Sequence, residues 1–499
     1  MERSAGILLA ISSLPSKYGI GSFSKEAYRF VDWLKAAHQS YWQILPMGPT
    51  GYGDSPYQSF STFAGNPYFI DLDELVEQGL LTDRECREID WGDDDRYIDY
   101  NKIYYSRYQL LRKSYERWKM IDKVEFFVFM EENSHWIYDY SLFMAVKDSF
   151  GGIPWTEWPQ DIRNRQPDAL QQMQIKLADE IHFQQYMQYL FYTQWNALKS
   201  YANKNHIRII GDIPIYVAMD SADVWAHPEL FRLDEDRRPY EVAGCPPDGF
   251  SETGQLWGNP IYDWERNKQT GYSWWIARMR HSYKLYDVVR IDHFRGFDEY
   301  YAIPYGEETA ANGKWEKGPG MDLFRNIEKA LGKRDVIAED LGFVTDSVRK
   351  LVHDSGFPGM KVVEFAFDVR DTGAASDYLP HNYIRNCVVY TGTHDNETLI
   401  GWWSSIDQRA RDMARDYMAA HYTPDRLINV PFITLAMRSI ADLCIIPMQD
   451  YLGLDNRSRM NKPSTVGDNW RWRTISDDTD DDLAEEIGRL TLMTGRSKM

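Results

Sequence analysis

Only four cysteines occur among 499 residues, and Cys86, Cys245, Cys387 and Cys444 stand far apart with no CxxC pair. That pattern argues for buried reduced thiols rather than a disulfide framework, and so for a cytoplasmic protein. Long apolar runs are missing too. No stretch reaches the length of a membrane span, and the first thirty residues lack the charged start and greasy core of a signal peptide. Ile7–Ile11 is too short for either and reads as a first strand. No basic block offsets the net charge of −19, which excludes a nucleic-acid partner. Internal repeats are absent, and the only biased tract is the acidic run Asp477–Asp482. It reads as the opening of a last helix whose apolar face carries Leu483, Ile487 and Leu490, not as a metal site. The glycine-rich stretch Gly313–Gly320 lacks the order of a phosphate-binding loop, and Pro319 removes a backbone donor; it reads as a rim loop.

Aromatics, by contrast, are abundant, with 18 Trp and 33 Tyr. Most must be core, yet flat amphipathic rings are also what a sugar-binding cleft needs. Eight short apolar runs recur along the chain: Gly6–Ile11, Tyr41–Leu45, Arg208–Ile213, Val288–Asp292, Val336–Glu339, Lys361–Phe365, Cys387–Tyr390 and Cys444–Met448. Unalternating runs of this length are strands buried on both faces, as in a parallel sheet. Helical patterns separate several of them. One has Ala27, Phe30, Val31 and Leu34 on one face behind Ser24 as N-cap; others cover Trp274–Lys284 and Thr345–His353. Eight alternating units predict an α/β fold, a closed (β/α)8 barrel.

Two spacings break the rhythm. About 160 residues separate the second and third strands, too many for one crossover. They hold the stripe Tyr104, Tyr108, Leu111, Tyr115 and Trp118 and a further helical stretch, Ile181–Leu198. A mostly helical insertion over residues 48–200 fits better than a loop. The second break, residues 218–264, is rich in Pro, Gly and polar residues and should lie over the catalytic rim as a lid. The rest reads as one catalytic barrel over residues 1–499, with no separate C-terminal β domain.

Three acids stand at the ends of predicted strands: Asp292 after Val288-Val289-Arg290-Ile291, Glu339 after Val336-Ile337-Ala338, and Asp395 in Thr393-His394-Asp395-Asn396. The carboxyl ends of barrel strands are where such folds keep their chemistry. Retaining cleavage of a glycosidic bond needs a carboxylate nucleophile and a carboxylic acid about 5–5.5 Å away. Adjacent strands, roughly 4.8 Å apart, can supply that separation. Asp292 and Glu339 end the fourth and fifth strands and are expected to be neighbours. Arg290, two residues earlier on the same side, is expected to keep Asp292 ionised, whereas Glu339 must keep its proton. Asp395, two strands further on, would face the sugar hydroxyls beside His394. The competing reading makes Arg290 and Asp292 a core ion pair and Glu339 a helix cap.

These residues sit in motifs that resemble the 4-α-glucanotransferases (amylomaltases, or disproportionating enzymes) of glycoside hydrolase family 77, nearly end to end. The motifs include Gly53-Asp54-Ser55-Pro56-Tyr57-Gln58, Gly211-Asp212-Ile213-Pro214, Pro246-Pro247-Asp248 and Gly254-Gln255-Leu256-Trp257-Gly258-Asn259-Pro260. Further on stand Arg290-Ile291-Asp292-His293-Phe294-Arg295-Gly296, Ala338-Glu339-Asp340-Leu341-Gly342 and Arg459-Met460-Asn461. The resemblance implies a nucleophile at Asp292, an acid/base at Glu339 and a transition-state stabiliser at Asp395. It implies sugar contacts from Tyr57, Asp212, His293, Asn461, Gln255, Trp257, Asp248 and Phe250, although Trp257 could be core and Asp212 could satisfy backbone at a strand end. In the family a bulky aromatic often follows Pro-Pro-Asp; here Gly249 does, with Phe250 next. Tyr216-Val217 stands where related α-amylases carry Asn-His, so no calcium site and no cofactor are expected. The implied substrates are malto-oligosaccharide or starch-derived and glycogen-derived donors with glucose or maltose-type acceptors. An α-amylase-type hydrolase, and a glucan-binding module on an inactive barrel, are the other readings.

Overall fold

The computed structural model describes residues 2–51, 53–121, 124–247, 252–342, 344–367 and 375–497. Eight parallel strands close into a barrel: β1 (Ser4–Leu8), β2 (Tyr41–Gln43), β3 (Arg208–Pro214), β4 (Val288–Asp292), β5 (Val336–Ala338), β6 (Gly359–Val362), β7 (Cys387–Tyr390) and β8 (Leu443–Pro447). Each pairs with its neighbours in chain order, and β1 pairs with β8 to close the ring. The (β/α)8 expectation holds, because strands buried on both faces need helices outside them. Lys25–Ala36 follows β1, and Ser273–Leu285, Met321–Leu331, Asp346–Ser355 and Asn429–Arg438 lead into β4, β5, β6 and β8.

Boundaries move by a few residues. The first strand lies at Ser4–Leu8 rather than Gly6–Ile11, since Ile11–Ser13 turns into a 3-10 helix. The sixth lies at Gly359–Val362 rather than Lys361–Phe365, since Glu364–Ala366 is likewise a 3-10 turn. Ser24 occupies the N-cap position of its helix but makes no side-chain capping bond, whereas Thr345 accepts from the Val348 amide. In β3, Gly211 is required: a Cβ there would meet the Tyr286 ring at 2.1 Å. That close outer contact leaves the next residue, Asp212, pointing inward.

Between β2 and β3 run the helices Tyr100–Trp118, Val124–Glu132, Ile137–Ser149 and Ala178–Lys204, with shorter ones between. The expected stripe on the first is displaced: Leu111, Tyr115 and Trp118 are buried, but Tyr104 is exposed, because the inner face turns on Arg107, which donates to the Ile70 carbonyl at 2.7 Å. The last helix, Asp481–Met493, is capped by Asp480, which accepts from the Leu483 amide; Ile487 is buried there together with Ala484, Gly488 and Thr491.

A four-stranded antiparallel sheet stands on the barrel rim, in the order Gln255–Pro260, Glu241–Cys245, Glu299–Pro304, Lys314–Lys317. The chain between β3 and β4 supplies two of its strands and the chain after β4 the other two. The glycine-rich stretch read as a loop contains the edge strand Lys314–Lys317. No disulfide joins the four cysteines among the described residues, and burial pushes the Cys387 thiol up to about 12 and the Cys444 thiol up to about 11. No helix among the described residues is long and apolar enough to cross a membrane.

Candidate active site

Strand register brings the first two acids together. Ile291 of β4 pairs with Ala338 of β5, so Asp292 and Glu339 follow on adjacent strand ends. His293 adopts a left-handed conformation (φ 54°), which turns its amide onto Glu339 Oε2 at 2.7 Å. The Leu341 amide donates to Glu339 Oε1 at 2.7 Å. Phe294 N–H donates to the Glu339 carbonyl and Glu339 N–H to the Ile291 carbonyl, so side chain and backbone are gripped from both strands.

Arg290 lies in the barrel interior with its guanidinium 3.0 Å from Asp292 Oδ1. Its stronger partner is Asp212, directly opposite in the register of β3, whose oxygens accept at 2.8 and 2.6 Å. Asp212 is fully buried and also accepts from the Tyr57 hydroxyl at 2.8 Å. It therefore has no surface open to a sugar and instead anchors Arg290 and Tyr57. Burial disfavours the Arg290 charge, but Asp212 and Asp292 hold the guanidinium protonated.

Sharing Arg290 changes the expected electrostatics. Burial raises the Asp292 carboxyl to about 6, with Asp212 and Asp395 adding to the rise and Arg290 opposing it. Arg290 alone does not set that carboxyl. Burial, and then the charge of Asp292, push Glu339 further up, to about 7, against the two amides that favour its ionised form. Asp395 goes the other way. Burial opposes its charge, but His394 and Asn461 hold it down to about 2. His394 Nε2 is 3.3 Å from Asp395 Oδ2, and Asn461 Nδ2 donates to Oδ1 at 2.6 Å. Burial works against a charged His394, yet Asp395 raises it overall. Asp292 and Glu339 are thus raised together as a pair, able to hold one proton between them near neutral pH, while Asp395 is held ionised, which is the division acid/base chemistry requires.

Tyr57 stacks on His394 (centroids 5.1 Å apart, planes at 15°), and Trp470 closes on both rings at 5.8 and 5.9 Å. On the opposite side Trp257 meets the His293 ring edge-on at 4.8 Å and donates to Gln255 Oε1 at 3.1 Å. Burial pushes the His293 imidazole down to about 3, so it is neutral, and its Nε2 has no hydrogen-bond partner among the described residues. Asp248 and Phe250 lie outside the described residues. Trp470 carries no signal in the sequence; it is a nearly buried residue at φ 65° whose carbonyl accepts from the Tyr100 hydroxyl. Arg459 was visible only as part of a motif; it donates to the carbonyls of Asp395 at 2.6 Å and Asn461 at 2.8 Å.

Known proteins resemble the chain throughout. A 4-alpha-glucanotransferase of Streptococcus pneumoniae is 50% identical over 500 residues, covering 99% of this chain and 97% of its own. One from Clostridium butyricum is 48% identical over 488 residues, covering 97% and 99%. Among solved structures, the amylomaltase from Streptococcus agalactiae in complex with acarbose superposes with a TM-score of 0.96 at 40% identity, covering all of both chains. The family model described as 4-alpha-glucanotransferase matches residues 9–477. With the barrel, the rim carboxyls and these relatives in agreement, the chain belongs to the 4-alpha-glucanotransferases of glycoside hydrolase family 77, enzymes that transfer segments of α-1,4-glucan.

Proposed function

We propose that the chain moves α-1,4-glucan segments between malto-oligosaccharides by a retaining double displacement. Asp292 attacks the anomeric carbon while Glu339 gives its proton to the departing glycosidic oxygen, leaving a glycosyl ester on Asp292. Glu339, now ionised, takes the proton of an acceptor 4-hydroxyl as that oxygen attacks the same carbon, freeing Asp292 and restoring an α-1,4 bond. Asp395 stays ionised throughout and faces the sugar hydroxyls and the positive charge that builds on the ring. The observation that carries this reading is the placing of the carboxyls: Asp292 and Glu339 on paired strand ends, the first beside Arg290 at 3.0 Å and the second held by the His293 and Leu341 amides, with Asp395 held by His394 and Asn461.

The remaining contacts follow from what each group leaves available. Tyr57 offers a ring face, while His293 Nε2, unpartnered but buried, meets a hydroxyl once the Trp257 ring beside it moves aside. Gln255 and Trp257, on the strand that meets His293, form the acceptor wall of a lid over residues 218–264. Asp212 and Arg290 act from beneath. The helical insertion of residues 48–200 borders the donor side of a single catalytic barrel. Cysteines that form no disulfide among the described residues support a cytoplasmic setting.

Asp292 must be ionised and Glu339 protonated, so kcat/KM should fall as pH drops below about 6 and as it rises above about 7, giving a bell for the pair. Abolishing the alkaline limb with Glu339→Gln plus azide rescue on an activated donor would bear this out; a flat profile between pH 5 and 9 sinks the assignment. Incubation with maltotriose separates transfer from hydrolysis. Transfer yields glucose and a ladder of longer chains with constant reducing ends, whereas an α-amylase-type hydrolase raises reducing ends. Absence of the ladder overturns the proposal.

A further inference from the structure

The helix Val124–Glu132 is apolar on both sides, and only one side is covered. Phe126, Phe129 and Met130 turn inward, where Phe126 meets Trp118 at 5.0 Å and Phe129 meets Tyr189 at 5.8 Å and Tyr192 at 5.7 Å. Val124, Phe127 and Val128, spaced as one stripe, face outward, and Met120 and Ile121 from the preceding turn extend it. These five side chains are 52% to 83% exposed. No other stretch of the described chain exposes five large apolar side chains within nine positions. A helix apolar all round is normally a buried helix.

We propose that this face is where a second copy of the chain docks. Five such side chains present on the order of 500 Å² on one copy, near the upper end of what monomers leave exposed. A two-fold axis through the stripe sets the same patch against itself and buries about 1,000 Å² in total, the threshold for a stable interface. Charge selects the geometry. Glu131 and Glu132 end the helix and are exposed, so a parallel crossing would bring four carboxylates together, while an antiparallel one keeps them apart. The same acids, with Glu125 and the overall charge of −19, oppose an anionic membrane as the occupant.

Light scattering after gel filtration tests this on the full chain at micromolar concentration. The wild type should run at twice 58.6 kDa and Phe127→Glu at 58.6 kDa. Phe127→Leu should stay at twice that mass, and Met120→Glu, outside the helix, should weaken association independently. All four should disproportionate maltotriose equally, since none of the substituted residues lies at the rim. A monomeric wild type, or a Phe127→Glu variant that stays dimeric, overturns the proposal. So does a monomeric wild type that co-sediments with vesicles of phosphatidylglycerol and phosphatidylcholine, which would give the face to a membrane.

Discussion

Asp292→Asn should lower turnover of maltotriose by roughly 10⁴–10⁶-fold, the loss typical of removing a nucleophile, while leaving the melting temperature unchanged or higher. The two halves of this expectation have different origins. Loss of activity follows from the missing covalent ester. Retained stability follows from the raised carboxyl, because a group whose folded-state pKa lies above its unfolded value stabilises only below the unfolded value. That contribution is lost as pH rises through about 6, so at neutral pH the ionised Asp292 is a burden on the fold. Arg290 keeps Asp212 after the substitution and is not stranded. Thermal melts and single-turnover assays at pH 7 check both halves. Retained turnover would remove Asp292 from its role.

Asp212→Ala should do the reverse and damage the fold first. Arg290 is 3% exposed and would lose its two-pronged partner, and Tyr57 would lose the acceptor of its hydroxyl. Breaking a buried pair by removing one member typically costs about 3–5 kcal/mol. The freed guanidinium would fall to Asp292 alone and draw its carboxyl down, moving the acid limb of the pH profile to lower pH. Tyr57, released from below, would tilt away from His394, and a misplacement of that kind is expected to cost on the order of 10²-fold in kcat/KM. A urea melt and a pH profile measured on the same variant distinguish this from a sugar-contact role, which would raise KM and leave both stability and the acid limb in place.

The barrel was legible because its strands are buried on both faces. Short runs such as Val-Val-Arg-Ile-Asp admit few other structures, and errors were confined to their ends, where Leu9–Ile11 stay apolar and Val363 and Phe365 flank Glu364 after the ladder has stopped. The rim sheet was invisible for the opposite reason. Glu241–Cys245, Gln255–Pro260 and Lys314–Lys317 carry glycine, proline or charge, and each gains its regularity from antiparallel partners, joined into one sheet by the long-range pairing of Glu241–Cys245 with Glu299–Pro304. At the site, Asp292 and Glu339 could be read because a carboxylate at a strand end has a fixed direction, whereas Asp395 lies in the turn beyond Cys387–Tyr390. The preference of Arg290 for Asp212 could not, because it depends on the register between β3 and β4, which single strands do not encode. Trp470 had no signal at all: its partners Tyr57 and His394 are distant in sequence and brought together only by closure of the ring.

The left-handed turn at His293 has one more consequence. Asp292 and Glu339 sit on different strand ends, yet a covalent step from Asp292 to His293 and one hydrogen bond to Glu339 span the gap between them. A displacement of either strand end is therefore passed to the other acid through that bond, instead of leaving each carboxyl tied to its own strand alone. A beta-branched residue at position 293, which resists the left-handed conformation, would break this link without touching either acid.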